Sequence, residues 1–275
     1  MAIEVFAPAK INLTLHVTGQ RDDGYHLLDS LVVFADVGDT VRVTPADRLS
    51  LDIDGPEAGG LDAEPDNLVL RAARLLAPDR GAAITLTKRL PVASGIGGGS
   101  ADAAAGLRAL AQLWDMSLPE PEQALSLGAD VPVCLSVMPR RMRGIGEQLD
   151  HVPPLPAMDI LLVNPRVAVS TPTIFRTLAE KNNPPMERDL PRWRDLPDFA
   201  GWLANQRNDL ALPAIAQQPV ITEVIDALSE AGALFAGMSG SGATCFGLFS
   251  PDHPPAEPVL RRRHPDWWCA RGRVL

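Results

Sequence analysis

From Ile11 to Val17 apolar and polar residues alternate, with Ile11, Leu13, Leu15 and Val17 on one side and Lys10, Asn12, Thr14 and His16 on the other. A period of two predicts a half-buried strand. A short strand over residues 3–7 precedes it, and Leu27 to Val37 follows after a polar turn, Gly19 to His26. Residues 39–55 alternate again through Val41, Val43, Leu49, Leu51 and Ile53 and read as antiparallel strands; Ile84 to Leu90 reads as another strand. The period becomes helical at 66–77, with Leu68, Leu75 and Leu76, and from Ala103 to Trp114, with Leu107, Leu110 and Trp114. Pro153-Pro154-Leu155-Pro156 marks the best boundary, which gives domains of 1–155 and 156–275. Beyond it come a buried strand at 159–165, a helix with Pro172 in its first turn, a proline-rich loop over 182–198, and helices near 198–206 and 219–231.

Composition narrows the class of protein. A chain of 275 residues with 46% hydrophobic content has a real core, which excludes global disorder. The net charge of −9 argues against nucleic acid or a membrane surface as partner, since both select for basic patches. It leaves room for a nucleotide in a local basic pocket. Cys134, Cys245 and Cys269 are far apart and form neither a disulfide framework nor a zinc site, which suits a reducing cytoplasm. The N-terminus carries no signal-peptide pattern, and no apolar run approaches the ~20 residues of a membrane span.

The chemistry centres on Pro91-Val92-Ala93-Ser94-Gly95-Ile96-Gly97-Gly98-Gly99-Ser100-Ala101, a glycine loop running into a helix. Unpaired N–H groups and the helix dipole point at such a loop, so an anion is expected there, phosphate above all. No lysine follows Gly99, so this is not a Walker loop. Ser100 stands where a dinucleotide fingerprint needs its third glycine. No GxSxG elbow occurs, which argues against a serine hydrolase. Lys88 and Arg89, just before the loop, suit either nucleotide contact or surface charge. Asn67 is either a helix N-cap or a residue near the base. Asp130 is either an N-cap or a functional carboxylate. Arg140, Arg141 and Arg143 form a basic cluster that is either a solvated hairpin or a diphosphate contact.

The loop pattern Pro-x3-Gly-x-Gly-Gly-Gly-Ser-x-Asp-Ala resembles the ATP loop of the GHMP kinases, the family of galactokinase, homoserine kinase and mevalonate kinase. Two further segments resemble the same family, Gly128-Ala129-Asp130-Val131-Pro132 and the glycine turn from Gly237 to Phe249. The run from Pro8 to Leu28, including Asp23-Gly24-Tyr25-His26, is similar to the opening of one branch of that family.

The resemblance implies an α+β, two-domain GHMP kinase fold, with an N-terminal domain like the second domain of ribosomal protein S5 and a ferredoxin-like C-terminal domain. It implies ATP as phosphoryl donor with Mg2+, Ser100 being the one candidate to touch the metal. It makes Lys10 and Asp130 catalytic. It places ATP against residues 91–101 (Pro91, Val92, Ala93, Ser94, Gly95, Ile96, Gly97, Gly98, Gly99, Ser100, Ala101) together with Asn67 and Lys88. It assigns the acceptor to Asn12, Tyr25, His26, Thr171 and Phe175, and gives Gly240, Ser241 and Gly242 a supporting role beneath the loop. The branch implies a small-molecule acceptor, a cytidine diphosphate-linked methylerythritol, and a cytoplasmic monomer or homodimer. The rivals are another GHMP kinase, of homoserine or mevalonate type, and a non-catalytic GHMP-like regulator. The Asp-Gly-Tyr-His segment argues against the first, and the presence of both Lys10 and Asp130 against the second.

Overall fold

The computed structural model describes residues 1–59, 61, 66–92 and 94–275. The chain runs β1 (Ile3–Asn12), β2 (His16–Gln20), β3 (His26–Pro45), β4 (Ser50–Asp54), α1 (Leu68–Leu76), β5 (Ala82–Thr87), α2 (Gly98–Trp114), α3 (Pro121–Leu125), α4 (Val131–Ser136), β6 (Arg140–Gly144) and β7 (Gln148–His151). It continues through β8 (Asp159–Asn164), α5 (Thr171–Arg176), α6 (Leu196–Leu203), α7 (Ala211–Gln217), α8 (Val220–Glu230), β9 (Phe235–Met238), β10 (Cys245–Phe249), α9 (Glu257–Arg263) and β11 (Trp268–Arg273). The residues pack as two compact units, Met1–Lys10, Gly38–Val92 and Gly97–Val137 in one, Ile11–Val37, Ala93–Ile96 and Met138–Leu275 in the other.

In the first unit β5 lies between β3 and β4, antiparallel to the former and parallel to the latter. The antiparallel pair expected over 39–55 is therefore not formed. The chain leaves β4, crosses through α1 and returns as β5, and such a crossover delivers a parallel neighbour. Gly38 lets β3 continue where two strands were expected, because a Cβ there would lie 2.2 Å from the Ala7 carbonyl oxygen of β1. Helix α1 packs on α2, and α2 on α4. The alanines of α2 (Ala101, Ala103, Ala104, Ala105, Ala109) are buried, and their small side chains permit this close approach.

In the second unit β6 pairs with the first half of β3 and with β7, and a separate sheet runs β11-β8-β10-β9, all antiparallel. Strand β8 is buried along its whole length, as its apolar run requires. Helices α5, α7 and α8 contribute Ile174, Ala214, Ile221, Val224 and Leu228 to one core with Leu161, Val163, Cys245 and Phe249. The C-terminal tail forms α9 and β11.

The alternating run 11–17 is neither a single strand nor half-buried, since β1 ends at Asn12 and β2 begins only at His16. Lys10, Asn12, Thr14 and His16 are 3%, 1%, 0% and 2% exposed, as hidden as the apolar row. Their polar atoms are met inside the protein. Thr14 Oγ1 accepts from the Leu31 N–H, and Asn12 Nδ2 donates to Ser30 Oγ.

His16 Nε2 accepts from the Arg207 N–H, which requires the neutral ring with its proton on Nδ1, facing the Pro184 carbonyl. Burial, helped by Arg207, holds this imidazole below its ordinary 6.5. The unfolded chain then takes up a proton that the folded chain resists, so this contribution is whole above 6.5 and is lost as pH falls below it. Urea unfolding between about pH 8 and pH 5 should show stability falling with acid, and His16→Gln should flatten the slope. An unchanged slope in the variant would refute this role.

Candidate active site

The glycine loop is shaped by its backbone. Gly95 and Gly97 have φ of +76° and +61°. Gly97 caps α2 in the left-handed region, so the helix opens at Gly98, inside the glycine run and earlier than the Ala103 periodicity suggested. The first intrahelical bond joins the Ala101 N–H to the Gly97 carbonyl. The N–H groups of Gly98, Gly99 and Ser100 precede it and form the positive end of a 17-residue helix. Pro91 and Ser94 are buried, Ile96 is a core residue, and Val92 is exposed. Ala93 lies outside the described residues.

Lys10, on β1, reaches Asp130 with Nζ 2.9 Å from Oδ2. Asp130 occupies the N-cap position of α4, but its side chain makes no capping hydrogen bond. Its carboxylate is turned to Lys10 instead. The Lys10 side chain is 4% exposed and that of Asp130 29%, so the pair is sheltered with its carboxylate open to one side. A Cβ on Gly97 would lie 2.9 Å from Lys10 Cε and 3.7 Å from Asp130 Oδ2. Loop, lysine and aspartate thus meet at one point of the first unit.

Lys88 is not turned outward. Its ammonium sits between Asp39 and Asp102, 2.8 Å from Asp102 Oδ2 and closer still to Asp39 Oδ2, with all three residues buried. Burial would push this ammonium down, but the two carboxylates outweigh it and hold it above its ordinary range. Burial pushes Asp102 up to about 7, Lys88 opposing and Asp39 adding to the rise. Asn67 is the N-cap of α1, its Oδ1 accepting from the Val69 N–H at 2.9 Å. Burial pushes the Cys134 thiol up, so it is inert.

In the second unit the turn after β9 clasps the loop. Ser239 Oγ accepts from the Asn12 N–H at 3.1 Å and donates to the Gly95 carbonyl at 2.9 Å. Gly240 must lack a side chain, because a Cβ there would lie 2.7 Å from the Gly95 oxygen. Asn208 Nδ2 donates to the Met238 and Gly240 carbonyls and holds the turn. Ser241 and Thr171 share a hydrogen bond of 2.7 Å. Neither Ser239 nor Asn208 was singled out from sequence. Ser239 lay within the recognised glycine turn, but no local pattern marks Asn208.

Tyr25 is 59% exposed at the β2–β3 turn. His26 stacks on Phe175 with ring centroids 4.7 Å apart and planes at 29°. The two rings touch and leave no slot for a third between them. His26 Nε2 is buried, and among the described residues nothing pairs with it. Burial, with Lys181 adding, holds this imidazole below its ordinary value, so it is neutral near pH 7. The arginine cluster divides three ways. Arg141 is buried and bidentate on Asp29, and also donates to the Met186, Glu187 and Arg188 carbonyls. Arg143 pairs with Asp150 at the surface, and Arg140 meets His151.

Such a loop beside a lysine–aspartate pair, in this order of elements, defines a class. The model of the GHMP kinases N terminal domain matches residues 67–136, and that of the GHMP kinases C terminal matches 186–263. The chain belongs to the GHMP kinase family. Its relatives include a 4-diphosphocytidyl-2-C-methyl-D-erythritol kinase of Ruegeria pomeroyi, 76% identical with 100% of both chains covered. A protein of the same name from Cereibacter sphaeroides is 58% identical over 98% of this chain and 99% of its own. A crystal structure of 4-(cytidine 5'-diphospho)-2C-methyl-D-erythritol kinase superposes with TM-score 0.78 at 34% identity, covering 98% of each chain. A homoserine kinase from Cytophaga hutchinsonii, at 20% identity and TM-score 0.64, shares the fold.

Proposed function

We infer that this chain transfers the γ-phosphoryl group of ATP to the 2-hydroxyl of 4-diphosphocytidyl-2-C-methyl-D-erythritol, a step of the non-mevalonate route to isoprenoid precursors. The acceptor oxygen forms its bond to the γ-phosphorus as the bond to the β–γ bridging oxygen breaks, and ADP leaves. Asp130 takes the hydroxyl proton. Lys10, 2.9 Å from that carboxylate, favours the developing alkoxide. The N–H groups opening α2 receive the phosphates, with residues 91–101 as their frame and the turn of Gly240, Ser241 and Gly242 bracing it. Asn67, which caps α1, lies on the nucleotide side. Lys88 acts through Asp102 rather than on the nucleotide.

Mg2+ accompanying the nucleotide would spread the charge of the transferred group, with Ser100 as the chain's contact to it. Among the described residues no three His, Cys, Asp or Glu gather as a metal site.

The observation that carries the choice of acceptor is His26 Nε2, a buried polar atom awaiting a partner. A neutral imidazole can donate to a cytosine carbonyl or accept from its amino group. The exposed Tyr25 ring offers a stacking face, worth roughly 1–3 kcal/mol for a base. Phe175 backs the imidazole from behind, in place of a sandwich about the base, and Asn12 and Thr171 lie on the acceptor side. A small acceptor of the homoserine or mevalonate type has no use for these groups. His26→Ala and Tyr25→Ala should raise KM for the cytidyl substrate about tenfold or more while KM for ATP stays within about twofold. Equal turnover of methylerythritol phosphate lacking the cytidyl group would sink the assignment.

We further propose domains of 1–155 and 156–275, supported by the two family models falling on either side of that boundary. No helix among the described residues is long and apolar enough to cross a membrane. A cytoplasmic monomer or homodimer that engages neither membrane nor nucleic acid is part of the proposal; the buried free thiols suit a reducing compartment and the net charge of −9 disfavours polyanionic partners.

A further inference from the structure

Lys88 is the residue from which the chain enters the phosphate loop, and Asp102 lies just beyond it, in the second turn of α2. The bridge between them therefore ties the two ends of the loop together at 2.8 Å. Asp39, on β3, anchors the same point to the sheet. Its Oδ2 holds the Lys88 ammonium and its Oδ1 accepts the Arg89 and Leu90 N–H groups, the latter at 2.9 Å. Gly98, the first residue of α2, lies over this cluster, since a Cβ there would be 3.6 Å from Lys88 Nζ and 4.0 Å from Asp39 Oδ2.

The cluster is a poor device for stability alone. It buries two carboxylates against one ammonium, and well-packed apolar residues commonly do as well or better in such places. Asp102 Oδ1 is buried, and nothing among the described residues pairs with it. A buried ion pair of defined geometry supplies direction, which an apolar contact does not. We propose that Asp39, Lys88 and Asp102 form a positioning clasp that closes the phosphate loop and fixes the first turn of α2, so that its N–H groups are aimed at the nucleotide's phosphates. The proposal rests on the loop binding ATP. The three residues touch no reacting atom and act through the loop.

The test is Asp102→Asn, which keeps shape and removes the charge, alongside Lys88→Met/Asp102→Leu, which removes the bridge and leaves Asp39 its two backbone hydrogen bonds. Calorimetry with a non-hydrolysable ATP analogue should show affinity weakened about tenfold, the equivalent of one charge-assisted hydrogen bond. KM for ATP should rise in step, while KM for the alcohol and kcat change less than about twofold. The double variant should match the wild type in Tm yet keep the weakened nucleotide affinity. If affinity and KM recover together with Tm, the clasp is a stability element and the proposal fails. If Asp102→Asn does not fold, Lys88→Arg, which keeps the charge and alters the geometry, should give the same rise in KM for ATP, and a normal KM would overturn the idea. A wild-type protein that binds no nucleotide would remove the loop reading itself and the clasp with it.

Discussion

Asp130→Ala is expected to lower kcat by about 10²–10⁴-fold, the span usual for removal of a general base, with nucleotide affinity nearly unchanged. The expectation follows from geometry. At the start of α4 an aspartate would ordinarily cap the helix, and then its loss would cost stability, typically about 1 kcal/mol. Here the carboxylate makes no capping bond and faces Lys10 at 2.9 Å. The variant should therefore lose rate out of proportion to any loss of Tm, which would come from the Lys10 ammonium and not from a lost cap. Lys10→Met should lose rate as well, through an Asp130 that no longer has its cation. Steady-state kinetics, thermal melts and calorimetry with an ATP analogue separate the outcomes. Near-normal turnover with a lowered Tm would return Asp130 to a capping role.

Gly97→Val should damage both halves of the reaction at once. At φ +61° a β-branched residue is strained, at a cost of about 1–3 kcal/mol. Its Cβ would also stand 2.9 Å from Lys10 Cε and 3.2 Å from Lys10 Cβ. The loop must shift or the lysine must. ATP affinity is expected to fall at least about tenfold, with a further drop in kcat of about tenfold or more as Lys10 is displaced. Gly97→Ala should fall between, since it adds the Cβ without the branches. A valine variant with normal affinity and turnover would show that neither phosphate nor lysine depends on this position.

Much of this site was legible in the chain. Glycine at 95 and 97 announces positive φ, and a glycine run ahead of an alanine-rich helix announces free N–H groups, because both follow from local backbone chemistry. Lys10 and Asp130 were singled out through their motifs, and the structure brings them together, while α1, α5 and α8 fall close to their expected places. Those elements rest on short-range periodicity and capping. The alternating run 11–17 is broken between β1 and β2 rather than forming one strand, and its alternation could not say that the polar residues would be buried with the apolar ones. That depends on Ser30, Asp130 and Arg207, which are distant in sequence.

The same limit explains the residues misjudged or missed. Lys88 was read as either a nucleotide contact or a surface charge because it precedes the loop, whereas the Asp39 and Asp102 carboxylates claim its ammonium in the interior. Arg141 was read with its neighbours as one basic cluster, either a solvated hairpin or a diphosphate contact, whereas Asp29 and the Met186–Arg188 carbonyls enclose it and leave Arg143, on the same face of β6, at the surface. Local patterns determined where the backbone turns, where helices begin and which segments carry the chemistry. Which charges are buried, which polar atoms find partners and which rings stack was settled only when segments distant in sequence were packed together, because burial and pairing depend on neighbours in space.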